Sequence, residues 1–204
     1  LFAQNEKLVN VIGINNWDVR NLKYTDYLFA YCTLLETMDL SNWNILEKLR
    51  DSGHMFYKCE NLYEVNISNV AKNGTNGTME LFYGCTNLQT VYMRNWDLSN
   101  VSMLGDEFYG CSSLKTVDME NTLLSNGKTS YVLRFNSCTE LENLVFGKQA
   151  MGNWDFSNNT KLTKDSLLSI LNGLKNCGDD ENYTLTLGTI NLAKLSDDEK
   201  AIAT

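Results

Sequence analysis

The sequence contains no proline and only one histidine among its 204 residues. Globular proteins average about 5% proline, and stacked turns shaped by glycine, asparagine and serine can do without it more easily than an enzyme with many loops. A single histidine, His54, removes most routes to nucleophilic catalysis, because a serine or cysteine nucleophile needs a base and an orienting group at one point. We therefore predict a protein without catalytic residues.

Basic charge and long apolar runs are scarce as well. Lysine and arginine number 17 against 25 aspartate and glutamate, a formal net charge of −8. A nucleic-acid binder normally carries a basic patch, and no basic cluster occurs here, which excludes that class. Apolar stretches such as that at 167–171 are far shorter than the roughly 20 residues that a membrane-spanning helix needs. With 43% hydrophobic residues, the chain can bury a sizeable core.

The chain begins with Leu1 instead of methionine. We expect a mature or trimmed chain from which any export signal has been removed.

Five of the six cysteines recur at intervals of 26 or 27 residues, each at the end of a Phe-x-x-Cys phrase. They are Cys32, Cys59, Cys85, Cys111 and Cys138. Apolar residues follow each cysteine after three, six and eight positions, and the step of two predicts a short strand with one buried face. A fixed period of this length is typical of a solenoid.

Aromatic residues also follow the repeat. Trp43 and Trp96 stand eleven residues after a cysteine, and Trp17 stands in a related phrase. We expect these three tryptophans and the five phenylalanines to pack inside. In the segment before each phenylalanine, apolar residues recur at intervals of three and four instead of two, which favours a short helix or irregular turns.

The repeat frame breaks after Phe146. Thr163 can cap a helix, 183–187 alternates like a strand, and 196–199 is a capping box that opens a last helix. We predict a repeat array over 1–162 and a C-terminal cap over 163–204, because a solenoid needs an atypical unit over its last apolar face.

The repeat phrase resembles a known family. The segments MRNWDLSNV at 93–101 and FYGCSSL at 108–114 are similar to the BspA-type leucine-rich repeat of bacterial surface proteins, over about residues 8–162. The tail at 184–197 resembles segments that close such arrays in gut bacteria. Val70 and Thr122 depart from the pattern, since they stand where the other repeats have tryptophan.

The resemblance implies an exported protein at the bacterial cell surface, adhesion to host or bacterial macromolecules, and no catalytic residues. The fold that we predict is an α/β repeat, a right-handed leucine-rich-repeat solenoid. Its short strands stack into a parallel sheet, short helices or turns form the other wall, and a cap of helix and strand follows.

The cysteine pattern favours buried side chains that fill the interior over metal ligands. No Cys-x-x-Cys pair occurs, and His54 cannot complete a zinc site with thiols one repeat apart. We expect five buried free thiols, no metal and no cofactor, with Cys177 in a polar loop as the one exposed thiol. The acidic run at 179–181 is expected to be solvated, and that at 197–199 to cap a helix.

A candidate binding surface lies at five, seven and nine residues after each cysteine, where side chains point outward from the strands. We call these positions the strand face. Its richest cluster contains Thr90, Tyr92, Arg94, Asp118 and Glu120, and tyrosine and arginine are enriched at binding hot spots. An equally tenable interpretation is that Arg94 simply pairs with Asp118 or Glu120.

Function is therefore predicted to be non-enzymatic, an adhesin-like module that binds a host or bacterial surface protein or a glycan through the strand face. The alternative is a structural spacer or stalk with no ligand of its own. A glycan hydrolase is disfavoured, because it needs two carboxylates across a cleft.

Overall fold

The protein is a stack of similar turns joined by a parallel sheet. The computed structural model describes residues 1–46, 48–102, 104–124, 133–174 and 183–203. Five strands form the sheet in chain order: β1 (Thr37–Asp39), β2 (Glu64–Asn66), β3 (Thr90–Tyr92), β4 (Thr116–Asp118) and β5 (Asn143–Val145). Equivalent residues of successive repeats are paired without any shift in register. The predicted solenoid is confirmed.

Each strand is three residues long and buries its middle side chain. The buried row consists of Met38, Val65, Val91, Val117 and Leu144. Side chains alternate between the two faces of a strand, so a slip of one residue would turn this row to solvent. Burial of the row therefore fixes the register of the whole stack.

The phenylalanines of the repeat form a continuous column inside the molecule. From Phe29 to Phe135, neighbouring ring centres lie 5.1–5.6 Å apart with nearly parallel planes. Phe2 and Phe156 extend the column at its two ends. Burial of a phenylalanine side chain contributes about 1.5–3 kcal/mol, and each ring pair adds about 0.5–1.5 kcal/mol. The column is thus a large part of the core.

The wall that carries the Phe-x-x-Cys phrases is built from hydrogen-bonded turns instead of helices. The amide N–H of Phe29 donates to Met55 O at 2.9 Å, and that of Phe56 donates to Leu81 O at 3.0 Å. These bonds run between successive turns, as in the sheet. The close spacing of the backbone lets the phenylalanine rings touch.

Two of the three tryptophans take the interior positions that the repeat predicts. Trp43 and Trp96 are buried, and each indole N–H donates to a backbone carbonyl of the preceding turn, Ile14 O at 2.9 Å and Ile67 O at 2.7 Å. The prediction for Trp17 is wrong, since it is 42% exposed. Asn5 occupies the cysteine position of its turn, so Trp17 follows after twelve residues instead of eleven, and Ile14 is buried in its place.

Beyond β5 the chain forms helices and a second, small sheet. Strand β6 (Trp154–Asp155) pairs in parallel with β7 (Leu185–Thr186), and the α-helices among the described residues are α1 (Lys164–Gly173), α2 (Gly188–Leu192) and α3 (Asp197–Lys200). The hydroxyl of Thr163 caps α1. Ser196 and Glu199 form the capping box of α3. Both helices begin where the sequence indicates.

Helix α1 lies along the outer edge of β5 and satisfies its backbone. Ser166 Oγ accepts a hydrogen bond from Leu144 N–H at 2.8 Å, and Ser169 Oγ accepts one from Phe146 N–H at 2.9 Å. At the end of the helix, a Cβ on Gly173 would lie 2.3 Å from Gly147 O, so only glycine permits this approach. The edge is thereby closed to further strand pairing.

Asparagine replaces cysteine at the later end of the column, which the sequence pattern did not reveal. Asn159 follows Phe156 by three residues, and its amide donates to Phe135 O at 2.9 Å and to Cys138 O at 2.8 Å. Asn191 donates to Phe156 O at 3.2 Å one turn later. The side-chain bond that joins successive turns therefore continues after the last repeat cysteine.

We predict that Asn159→Ala lowers the free energy of unfolding by about 1–3 kcal/mol, because two buried carbonyls each lose one of their two donors. Asn159→Cys should recover part of that loss, since a thiol reaches the same carbonyl in the other turns. The exposed neighbour Asn158→Ala is the control and should change stability by less than about 0.5 kcal/mol. Urea unfolding followed by circular dichroism measures all three variants. Equal stability of Asn159→Ala and Asn158→Ala would contradict the prediction.

Candidate functional site

The repeat cysteines have a structural role in the described part of the chain. All five are buried and free, as expected from the sequence. The thiol of Cys85 donates to Phe56 O at 3.0 Å, and that of Cys59 donates to Phe29 O at 3.1 Å. Burial raises the pKa of every one of these thiols, that of Cys138 to about 12. The thiolate is the reactive form, so these thiols are poor nucleophiles. Cys177 lies outside the described residues.

We predict that the five repeat thiols do not react with a thiol reagent until the protein unfolds. A Cys177→Ala variant leaves only those five. At pH 8, addition of 5,5′-dithiobis(2-nitrobenzoate) should release little chromophore from the native variant and five equivalents in guanidinium chloride. Fast release of several equivalents from the native protein would show that the thiols are accessible.

His54 lies in a turn, and its imidazole is packed against other side chains. The ring stacks on Tyr27 with 4.4 Å between ring centres. Its Nε2 lies 3.3 Å from Glu80 Oε2. Within the described ranges, no three histidine, cysteine, aspartate or glutamate side chains come together in a way that could hold a metal ion.

A buried carboxyl group, Glu107, was not singled out from the sequence. Its Oε1 accepts hydrogen bonds from Gly105 N–H at 2.8 Å and from the Thr78 hydroxyl at 3.2 Å. Its Oε2 has no hydrogen-bond partner among the described residues. Burial raises the pKa of Glu107 from 4.5 to about 7. The carboxyl group is therefore protonated in the folded protein over much of the acidic range.

We predict that Glu107 makes the protein less stable as the pH rises. Between pH 4.5 and 7 the folded state holds a proton that the unfolded state has lost, so the free energy of unfolding falls across this window, by roughly 3 kcal/mol. Urea unfolding at pH 4.5–8 should show the fall in the wild type and a smaller one in Glu107→Gln. A parallel pH dependence of the two proteins would contradict this assignment.

The strand face brings four of the predicted site residues into contact. Arg94 Nε donates to Asp118 Oδ2 at 2.9 Å, and Nη2 donates to the same oxygen. Arg94 Nε also lies 3.9 Å from Glu120 Oε2. The guanidinium carbon is 5.7 Å from the centre of the Tyr92 ring. Hydrogen bonding to Asp118 raises the pKa of Arg94, so the arginine is held as a cation beside the tyrosine.

Some of these side chains are open to solvent, and one of them lies beneath the others. The side chains of Arg94 and Glu120 are 43% and 57% exposed, whereas that of Asp118 is 10% exposed. Thr90 lies on the same face, aligned with Glu64 and Thr116 of the neighbouring strands. Arg94 therefore does pair with its acidic neighbours, as the alternative interpretation of the sequence predicts. The pair leaves much of the guanidinium open to solvent.

A second surface, which the sequence reasoning did not single out, lies on the wall of turns. Tyr31, Tyr57, Tyr83 and Tyr109 form a partly exposed column, here called the tyrosine stripe. Consecutive ring centres in the stripe are 4.9–5.3 Å apart. The signal was present in the sequence, since a tyrosine directly follows the phenylalanine of three consecutive repeats.

The tyrosine stripe ends at a depression with a volume of about 310 Å³. The described residues that line it are Asp106, Tyr109, Arg134, Asn136 and Ser137. Arg134 Nη1 lies 3.5 Å from Asp106 Oδ1. Opposite charges and an aromatic ring thus border one concave site.

The parallel stack of short strands, the buried phenylalanine column and the repeat of 26 or 27 residues define a leucine-rich-repeat solenoid. A family model described as the BspA type leucine rich repeat region matches six copies, over residues 2–89, 24–163 and 78–195. The chain belongs to this family. Neither the comparison with curated proteins nor that with solved structures gives a match.

Membership indicates the general kind of protein. The family is typical of bacterial surface proteins, and its repeats generally serve as non-enzymatic scaffolds for protein interactions. In the part of the chain that the structure describes, no helix has the length and apolar character of a membrane span.

Proposed function

We propose that this chain is an adhesin-like interaction module, displayed outside a bacterial cell, that binds a surface protein or a glycan of a host or another bacterium. The contact surface is the strand face, centred on Thr90, Tyr92, Arg94 and Glu120. Asp118 takes the role of a positioning residue beneath Arg94. The proposal includes neither a catalytic step nor a cofactor.

The arrangement of Arg94 carries the proposal. A free arginine loses much rotamer freedom when it binds, and each immobilised side chain of this kind costs about 0.5–1.5 kcal/mol. Here Asp118 and the Tyr92 ring already hold the guanidinium in one place. Binding would therefore meet a preformed anchor of the two residue types that are common at hot spots.

The charge of the strand face favours a particular kind of partner. Its outward positions carry four acidic residues, Asp39, Glu64, Asp118 and Glu120, and one basic residue, Arg94. A partner with amine, guanidinium or hydroxyl donors around a carboxylate or carbonyl group suits this pattern. Attraction between exposed charges is screened by salt, so we expect affinity to fall as ionic strength rises.

The proposed function also assigns a role to each of the two parts of the chain. We propose that residues 1–162 present the binding surface and that 163–204 close the array. The hydrogen bonds from β5 to the serine hydroxyls of α1 support this role, because they occupy the edge that another strand would otherwise use.

A structural spacer is the second candidate function. It is favoured by the strand face outside the Tyr92 and Arg94 cluster, where Thr37, Ser41 and Thr116 present small polar groups. A spacer would need the rigid stack and no ligand.

The experiment measures binding of the purified chain to immobilised host matrix proteins and glycans. We expect saturable binding to at least one of them, and a loss of tenfold or more, about 1.4 kcal/mol, in Tyr92→Ala/Arg94→Ala. The matched control is Asn143→Ala/Val145→Ala, which changes the two exposed side chains of β5 on the same face. The single variant Tyr92→Ala keeps the ion pair and should lose part of the affinity.

Circular dichroism and thermal unfolding show whether each variant remains folded. If the folded wild type binds none of the probes, the spacer is favoured. If Tyr92→Ala/Arg94→Ala binds as tightly as the wild type, the strand face is not the site.

A further inference from the structure

The depression at the end of the tyrosine stripe owes its shape to one change in the repeat. Tyr57, Tyr83 and Tyr109 each stand two residues before a cysteine, and Asn136 takes that position in the next turn. One face of Tyr109 stacks on Tyr83 with 4.9 Å between ring centres. Among the described residues, no aromatic ring covers the other face. Tyr109 is 52% exposed, so a flat apolar surface borders the depression.

The polar groups around this ring include both donors and acceptors. Asp106 and Arg134 contact each other loosely at 3.5 Å, and their side chains are 45% and 54% exposed. The part of the chain that the structure describes contains no hydrogen-bond partner for the side chains of Asn136 and Ser137. Most of the hydrogen-bonding capacity of the site is therefore available to a ligand.

We propose that this depression, here called the stripe-end pocket, binds a neutral pyranose unit of a glycan. The C–H face of the sugar would lie on the open face of Tyr109. Its hydroxyl groups would donate to Asp106 and accept from Arg134, while the amide of Asn136 can do both. A volume of about 310 Å³ lies at the small end of ligand pockets and suits a single sugar unit.

Charge balance favours a neutral ligand over an ionic one. An anion drawn to Arg134 would be repelled by Asp106, and a cation drawn to Asp106 would meet Arg134. The two side chains instead offer a carboxylate acceptor and guanidinium donors side by side, which neighbouring sugar hydroxyls complement. A purely apolar group would cover the Tyr109 ring but leave these polar groups desolvated without partners, which costs energy.

The stripe-end pocket is separate from the strand face. Tyr109 precedes strand β4 by several residues and lies on the wall of turns, so a glycan could bind there whether or not the strand face has a ligand. The inference therefore goes beyond the proposed function and does not rest on it.

Titration by NMR with methyl glycosides of glucose, galactose, mannose and N-acetylglucosamine, and with their short oligomers, tests the proposal. We expect saturable binding of at least one probe, with a dissociation constant of about a millimolar, as single small contacts give. Tyr109→Ala should weaken it by tenfold or more. Asp106→Asn and Arg134→Gln should each weaken it severalfold, and Tyr109→Phe should retain it.

Two controls separate the pocket from other surfaces. Tyr31→Ala removes an exposed tyrosine at the other end of the stripe and should bind as the wild type does. Tyr92→Ala/Arg94→Ala should also retain the sugar, which distinguishes this site from the proposed function. Thermal unfolding confirms that Tyr109→Ala is folded.

The proposal is overturned if the wild type binds none of these sugars, or if folded Tyr109→Ala binds them equally well. Preferential binding of inorganic phosphate or of a short acidic or basic peptide would also overturn it. Such a result would mean that the opposite charges of Asp106 and Arg134 do not prevent the pocket from preferring an ionic ligand.

Discussion

The hydrogen bond from a buried cysteine thiol to the phenylalanine carbonyl one turn earlier is the constraint on which the rest of the structure depends. It joins each turn to the one before it at the same residue pair, as Cys85 does with Phe56 and Cys111 with Phe82. A small apolar side chain with a weak donor suits this place, because it fills the interior and still satisfies a carbonyl. Where the cysteines end, the amide of Asn159 makes the same bond.

Because every turn is held to the next at equivalent atoms, side chains at one repeat position form columns across the molecule. Inside, the columns are the phenylalanines and the buried strand residues. Outside, the same rule produces the tyrosine stripe and the strand face. Regular columns give a rigid and uniform surface. The two places that we propose for recognition are irregular: one has a lone basic residue, Arg94, among acidic neighbours, and the other has Asn136 where a tyrosine is usual.

Much of the fold could be predicted because the features that specify it recur. Strand positions, the buried cysteines and the start of α1 at Thr163 all follow from spacing and local capping chemistry. Trp17 was misplaced because one extra residue in its turn shifts the frame, and only contacts reveal which neighbour is buried instead. Asn159 was missed because asparagine and cysteine are different residue types in the sequence pattern. In the structure, both side chains donate to the phenylalanine carbonyl of the preceding turn. His54 has no repeat partner of its own kind, so its stacking on Tyr27 could not be inferred.

The amino-acid sequence by itself determined the repeat, the row of strands and most of the apolar residues that are buried, because these depend on period and on the alternation of apolar side chains within each turn. Tertiary structure alone decided which polar groups of different turns meet. Arg94 and Asp118 are 24 residues apart in the chain, and Asp106 and Arg134 are 28 apart. Such pairs form only when the register between turns, which burial of the strand row fixes, brings their side chains to one place on the surface.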